Sequence, residues 1–132
     1  MSAKVLSYRK TTNKKKRTIL CADESNSRLF QVLAAAKEAK FAVMLADSAA
    51  SCVSLCAAYS PDVVLLDENF CHVDEWSIPE LLHLVCAKIV VLLTVEDPGK
   101  WQQLPPYVRA VAKRTDPDNV ITVLLKVLAE PV

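Results

Sequence analysis

Four short apolar runs along the chain each stop at a polar residue. Thr18-Ile-Leu-Cys-Ala22 runs into Asp23 and Glu24, and Asp62-Val-Val-Leu-Leu66 runs into Asp67. Lys88-Ile-Val-Val-Leu-Leu93 ends at Thr94, and Val108-Arg-Ala-Val-Ala112 ends at Lys113. Such runs, alternating with helical patterns, mark strands buried on both faces of a parallel sheet. A fifth strand is expected over Phe41 to Ala46, second in chain order.

The segments between them read as helices. Leu29, Phe30, Val32, Leu33 and Ala36 recur at helical spacing, which predicts a helix from about Asn26 to Lys40. Asp47 or Ser48 caps the next, whose apolar side carries Ala49, Cys52, Val53, Cys56 and Ala57, and Ser60-Pro61 stops it. A loop over Glu68 to Ser77 then leads to a short helix through Pro79 to Cys86, with proline suited to its first turn. Pro98 can open a fourth helix, but Pro105-Pro106 holds it to at most two turns. Asp116 caps the last helix, with Pro117 in its first position and apolar residues from Val120 to Leu128.

Five strands alternating with five helices, the fourth shortened, predict an α/β fold: a doubly wound, flavodoxin-like five-stranded parallel sheet. Right-handed crossovers place helices on both faces. The order 2-1-3-4-5 brings strands 1, 3 and 5 near one another, and ligands bind outside the carboxyl ends of such strands. Asp23, Glu24, Asp67, Thr94 and Lys113 would gather there. Three carboxylates, a hydroxyl and an ammonium compose a magnesium-dependent phosphoryl-transfer site. Two carboxylates about 4 Å apart repel by roughly 4 kcal/mol at an effective dielectric near 20, so three need a cation. Mg²⁺ suits an all-oxygen set that includes phosphate. Asp67 is the expected phosphoacceptor, since a carboxylate accepts a phosphoryl group once donor and metal are positioned in line.

This ordered set resembles the receiver domain of two-component response regulators, from Thr18 to Glu130. The resemblance implies a Mg²⁺ ion held by Asp23, Glu24, Asp67 and the backbone carbonyl of Asn69. It also implies that Lys113 pairs with the acceptor and then with the phosphate, while the Thr94 hydroxyl donates to a phosphate oxygen. The implied partners are a histidine kinase or phosphotransfer protein as donor and a downstream protein that the domain docks on, without an output domain of its own. Several accessory positions depart from the family pattern. Phe70-Cys71 and Asp74-Glu75 replace the usual loop after the acceptor, and Arg114 stands where a proline follows the lysine. Val95 replaces a small residue after the threonine, and Ala110 stands at the aromatic switch position. The alternative reading is a phosphorylation-independent pseudo-receiver acting as an interaction module.

Composition narrows the field further. The chain has 132 residues, enough for one domain with a core that needs no staples. No apolar run approaches bilayer-spanning length, and no signal peptide is readable, so a cytoplasmic protein is expected. A single glycine, Gly99, excludes a dinucleotide fingerprint, a P-loop and a nucleophile elbow. The five cysteines contain no CxxC pair, and Cys21, Cys52, Cys56 and Cys86 lie in apolar patterns as small buried hydrophobes. Cys71, His72, His83 and Cys86 match no familiar zinc spacing.

Charge is divided along the chain. Residues 1–17 hold seven bases and no acid, leaving nine bases against fifteen acids, a net of −6, over residues 18–132. The expected division is a basic, disordered tail and one receiver-like domain. The acidic balance disfavours nucleic-acid binding by the domain, and any such contact would run weakly through the tail. No enzyme acting on a small metabolite is indicated; at most the domain catalyses its own phosphorylation and dephosphorylation.

Overall fold

The computed structural model describes residues 17–22, 26–70, 72–73 and 76–129. One five-stranded parallel sheet forms its centre, built from β1 (Thr18–Ala22), β2 (Ala42–Leu45), β3 (Val63–Asp67), β4 (Val90–Val95) and β5 (Val108–Ala112). The strand order is β2-β1-β3-β4-β5, the expected 2-1-3-4-5. Four helices are present among the described residues: α1 (Asn26–Glu38), α2 (Ala49–Tyr59), α3 (Ile78–Val85) and α4 (Pro117–Ala129).

The sheet separates two cores, and strict alternation along each strand feeds both. Ile19, Cys21, Val63, Leu65 and Leu92 pack with Val32, Leu33 and Ala36 of α1 and with Val120, Ile121 and Leu124 of α4. Leu20, Ala22, Val64, Leu66, Val91 and Leu93 pack on the other face with Cys52 and Cys56 of α2 and Ile78 and Leu82 of α3. Every residue of β3 is buried. That double burial is why the strands read as unbroken apolar runs rather than alternating ones.

Local signals set the helix ends. Ser48 is the N-cap of α2: its Oγ accepts the Ser51 N–H at 3.0 Å, while the Ser51 Oγ accepts the Ser48 N–H at 3.2 Å. This reciprocal box satisfies two amides that the helix leaves without partners. Ser48→Ala is expected to cost about 1 kcal/mol in urea unfolding. At the other end Ser60 turns left-handed, with φ 46°, and its N–H donates to the Cys56 carbonyl. Asp116 opens α4, its carboxylate accepting the Asp118 N–H at 3.2 Å.

Two segments differ from expectation. In place of a shortened fourth helix, β4 and β5 are joined by a single 3₁₀ turn, Pro98–Lys100, followed by irregular chain. Asp97 caps that turn by accepting the Gly99 N–H at 3.0 Å. Beyond it Pro105 and Pro106 offer no N–H to a helix, and Trp101, Leu104 and Tyr107 pack directly on the core instead. Among the described residues there are therefore four α-helices, not five. The loop expected over Glu68 to Ser77 holds a 3₁₀ turn, Glu68–Phe70, and a two-residue antiparallel pairing of His72–Val73 with Trp76–Ser77. Pairings this short carry no periodicity to read in a sequence.

Candidate functional site

The sheet register brings three of the expected site residues together. Asp67 is the last residue of β3 and pairs with Thr94 on β4. Thr94 pairs in turn with Val111 of β5, and the Lys113 N–H donates to the Val95 carbonyl at 2.8 Å, carrying the ladder one step past the strand. Asp67, Thr94 and Lys113 thus stand at the carboxyl edge of neighbouring strands. β1 ends at the same edge, with Ala22 paired to Leu66. Asp23 and Glu24, which follow it in sequence, lie outside the described residues, as does Cys71.

Asp67 is 2 % exposed and fully engaged. Lys113 Nζ donates to its Oδ1 at 3.1 Å, and the Thr94 hydroxyl lies 3.5 Å from the same oxygen and from the Leu66 carbonyl. That distance is the outer edge of a hydrogen bond. The Asn69 N–H donates to Asp67 Oδ2 at 2.8 Å, an Asx-type turn that fixes the carboxylate plane.

Lys113 is pulled two ways. Burial lowers its pKa, but the hydrogen bond and charge of Asp67, with the charges of Glu68 and Glu96, outweigh burial and leave it raised. The stability this pairing contributes is therefore complete below the ordinary lysine value of 10.5 and is lost as pH rises through the higher folded value. The pair is intact throughout the neutral range.

Sequence reasoning missed one member of this group. Glu68, the residue after the acceptor, lies with Oε1 3.6 Å from Lys113 Nζ and accepts the Glu96 N–H at 2.8 Å. Its adjacency to Asp67 was the available signal, but which way a turn residue folds back is set by tertiary structure. A second feature without a sequence signal is the stack of His83 on Tyr107, 4.1 Å between ring centres.

Three of the accessory positions, Phe70, Val95 and Ala110, pack inward, while Asp74 and Glu75 lie outside the described residues. Val95 is fully buried and Phe70 nearly so, both in the core on the α2 and α3 side, and Ala110 packs against that core. Arg114 is exposed, and the described residues contain no cis peptide bond. Cys21, Cys52 and Cys56 are buried and Cys86 partly so. Burial pushes the Cys52 thiol up to about 11 and Cys56 up to about 12, the latter also through Cys86 and Cys52. Thiols held protonated in this way are poor nucleophiles and poor metal ligands.

No protein-family model matches the chain, and no curated protein matches it in sequence. Solved structures do match in shape. A response regulator from Desulfuromonas acetoxidans superposes with a TM-score of 0.73 at 14 % identity, covering 85 % of this chain and 96 % of that one. A response regulator receiver protein from Sinorhizobium medicae gives 0.70 at 21 % identity, over 86 % and 95 % of the two chains. A CheY-like receiver domain protein from Methanospirillum hungatei gives 0.69 at 14 % identity, over 86 % and 94 %. The five-stranded order, the helices on both faces and these superpositions together show that the chain has the fold of response-regulator receiver domains.

Proposed function

We propose that this protein is a receiver module that accepts a phosphoryl group on Asp67 and signals by docking on another protein. The observation that carries the reading is the Lys113 ammonium held 3.1 Å from a 2 % exposed Asp67, with Thr94 beside it on the next strand. A buried carboxylate facing a lysine and a hydroxyl at the carboxyl edge of a parallel sheet supports a role in accepting a charged group rather than in filling a core.

In the proposed reaction an oxygen of Asp67 bonds to the phosphorus of a phosphohistidine on a histidine kinase or phosphotransfer protein. The P–N bond breaks, and the imidazole leaves with the electron pair and takes up a proton. Lys113 moves its point charge from carboxylate to phosphoryl oxygens, and the Thr94 hydroxyl donates to one of them. Hydrolysis of the aspartyl phosphate then returns the carboxylate and inorganic phosphate.

Magnesium belongs to this reading. Among the described residues no three His, Cys, Asp or Glu side chains are grouped to hold a metal ion. Asp67, on the strand paired with the end of β1, and the Asn69 carbonyl would supply hard oxygen donors, and Asp23 and Glu24 would complete the set. Mg²⁺, when bound, neutralises the charge crowded by these carboxylates and the incoming phosphoryl group. Removing it has a measurable consequence. Thermal melts are expected to move upward when Mg²⁺ and beryllofluoride are added together, and to stay unmoved with beryllofluoride and a chelator. Identical melts in every condition would count against the site.

The division at residue 17 and a cytoplasmic location are part of the same proposal. No helix among the described residues is long and apolar enough to cross a membrane. A phosphorylation-independent interaction module is the second reading. It is favoured by the buried Val95, by Ala110 in place of an aromatic and by the single 3₁₀ turn between β4 and β5. These alter the route from site to surface, while the Asp67, Thr94 and Lys113 cluster argues for the first reading.

A further inference from the structure

The turn that begins at Asp67 carries a carboxylate with no part in the reaction above. Glu68 Oε1 is within 3.6 Å of Lys113 Nζ and accepts the Glu96 N–H at 2.8 Å. One side chain therefore touches both the cation of the site and the backbone just past the end of β4. Glu96 lies two residues beyond Thr94, in the segment that must shift if Thr94 is to follow a phosphoryl group.

We propose that Glu68 is a positioning residue that shares the Lys113 ammonium with Asp67 and latches the Glu96 backbone to the acceptor turn. In the unmodified protein Lys113 lies between two carboxylates, at 3.1 Å from Asp67 and 3.6 Å from Glu68. An incoming phosphoryl group brings further negative charge to the same ammonium. Glu68 opposes its arrival, by like-charge repulsion and by competing for Lys113. Once the phosphoryl group is on Asp67 it is the stronger acceptor and draws Lys113 away, which loosens Glu68 and the Glu96 amide it holds. Glu68 thus links a charge change at Asp67 to the backbone beside Thr94. The kinetic half of this inference rests on the receiver reading; the latch itself rests on the two contacts alone.

Two variants separate charge from hydrogen bonding. Glu68→Gln keeps an oxygen for the Glu96 N–H and removes the charge, whereas Glu68→Ala removes both. Amide hydrogen exchange at Glu96 and the initial rate of phosphorylation by acetyl phosphate at saturating Mg²⁺ are then measured. In that assay the acyl O–P bond of the donor breaks, the Asp67 O–P bond forms and acetate leaves. Exchange at Glu96 is expected to stay at the wild-type rate in Glu68→Gln and to rise about fivefold in Glu68→Ala, the factor of a hydrogen bond of ordinary net strength. Phosphorylation of Glu68→Gln is expected to be roughly three- to tenfold faster than wild type. A loss of structure alone would not speed the reaction. Equal Glu96 exchange in all three proteins overturns the latch. A phosphorylated wild type with an equal or faster rate than Glu68→Gln overturns the kinetic half. A wild type that takes up no phosphoryl group overturns the receiver reading and the kinetic half together, and Glu96 exchange then decides the latch by itself.

Discussion

Asp67→Asn is expected to take up no phosphoryl group from acetyl phosphate and Mg²⁺ under conditions in which the wild-type protein forms an adduct visible by intact mass. The amide has nearly the shape of the carboxylate, so the β3–β4 register and the Asn69 turn have no reason to change. What disappears is the anionic oxygen that bonds to phosphorus, and an amide oxygen does not replace it as nucleophile. The fold should survive, because losing one charge from an acidic edge offsets part of the lost pairing with Lys113. Undiminished adduct formation in Asp67→Asn, with native circular dichroism, would move the acceptor elsewhere.

Lys113→Ala carries the second large effect, and it acts on two properties at once. In the proposed reaction the ammonium is a donor to the charge that develops on the transferring group, and removal of one such preorganised donor lowers rates by about 10²–10³. The initial rate of phosphorylation should therefore fall roughly a hundredfold. Stability should fall too, because Asp67 is left buried without its cation. Breaking a fully buried pair costs about 3–5 kcal/mol. Lys113 retains 22 % exposure and the Asn69 amide still serves Asp67, so a loss of about 2 kcal/mol is expected here. Lys113→Arg should recover stability better than rate, since a planar fork does not reproduce a compact ammonium. A Lys113→Ala protein that is phosphorylated at near the wild-type rate would exclude the lysine from the chemistry.

The frame of this fold was legible because its signals are local and repeated. Each buried strand announces itself as an apolar run with a polar stop, and Ser48, Ser60 and Asp116 mark helix ends through short-range hydrogen bonds. The meeting of Asp67, Thr94 and Lys113 followed from strand order alone, because residues at the carboxyl ends of neighbouring parallel strands share one edge of the sheet. The rest depended on contacts between segments distant in sequence. Pro105-Pro106 bounded the fourth helix from above, but whether Pro98 to Leu104 would make a helix or one turn was settled by Trp101, Leu104 and Tyr107 docking on the core. Glu68 reads as an ordinary loop residue until Lys113 and the Glu96 amide are brought to it from strands far along the chain. The roles of Asp23, Glu24 and the Asn69 carbonyl as magnesium ligands remain part of the proposal.

In the proposed receiver, the altered accessory positions would shape how a signal leaves the site. Ala110, midway along β5, has no large side chain to swing between exposed and buried states, and a single 3₁₀ turn joins β4 to β5. Under the proposed latch, Glu68 and the segment after β4 would offer a shorter route, from charge on Asp67 to the backbone at Glu96. Partner docking near that edge would sense phosphorylation without the usual aromatic relay.

The central claim is that Asp67 itself carries the phosphoryl group, and it is most directly tested by locating that group. Protein treated with acetyl phosphate and Mg²⁺ is reduced with borohydride, which converts an aspartyl phosphate to homoserine, and is then digested and sequenced by tandem mass spectrometry. Homoserine at position 67, absent when magnesium is chelated, is the predicted result. Reduction at another carboxylate, or at none, would contradict the account.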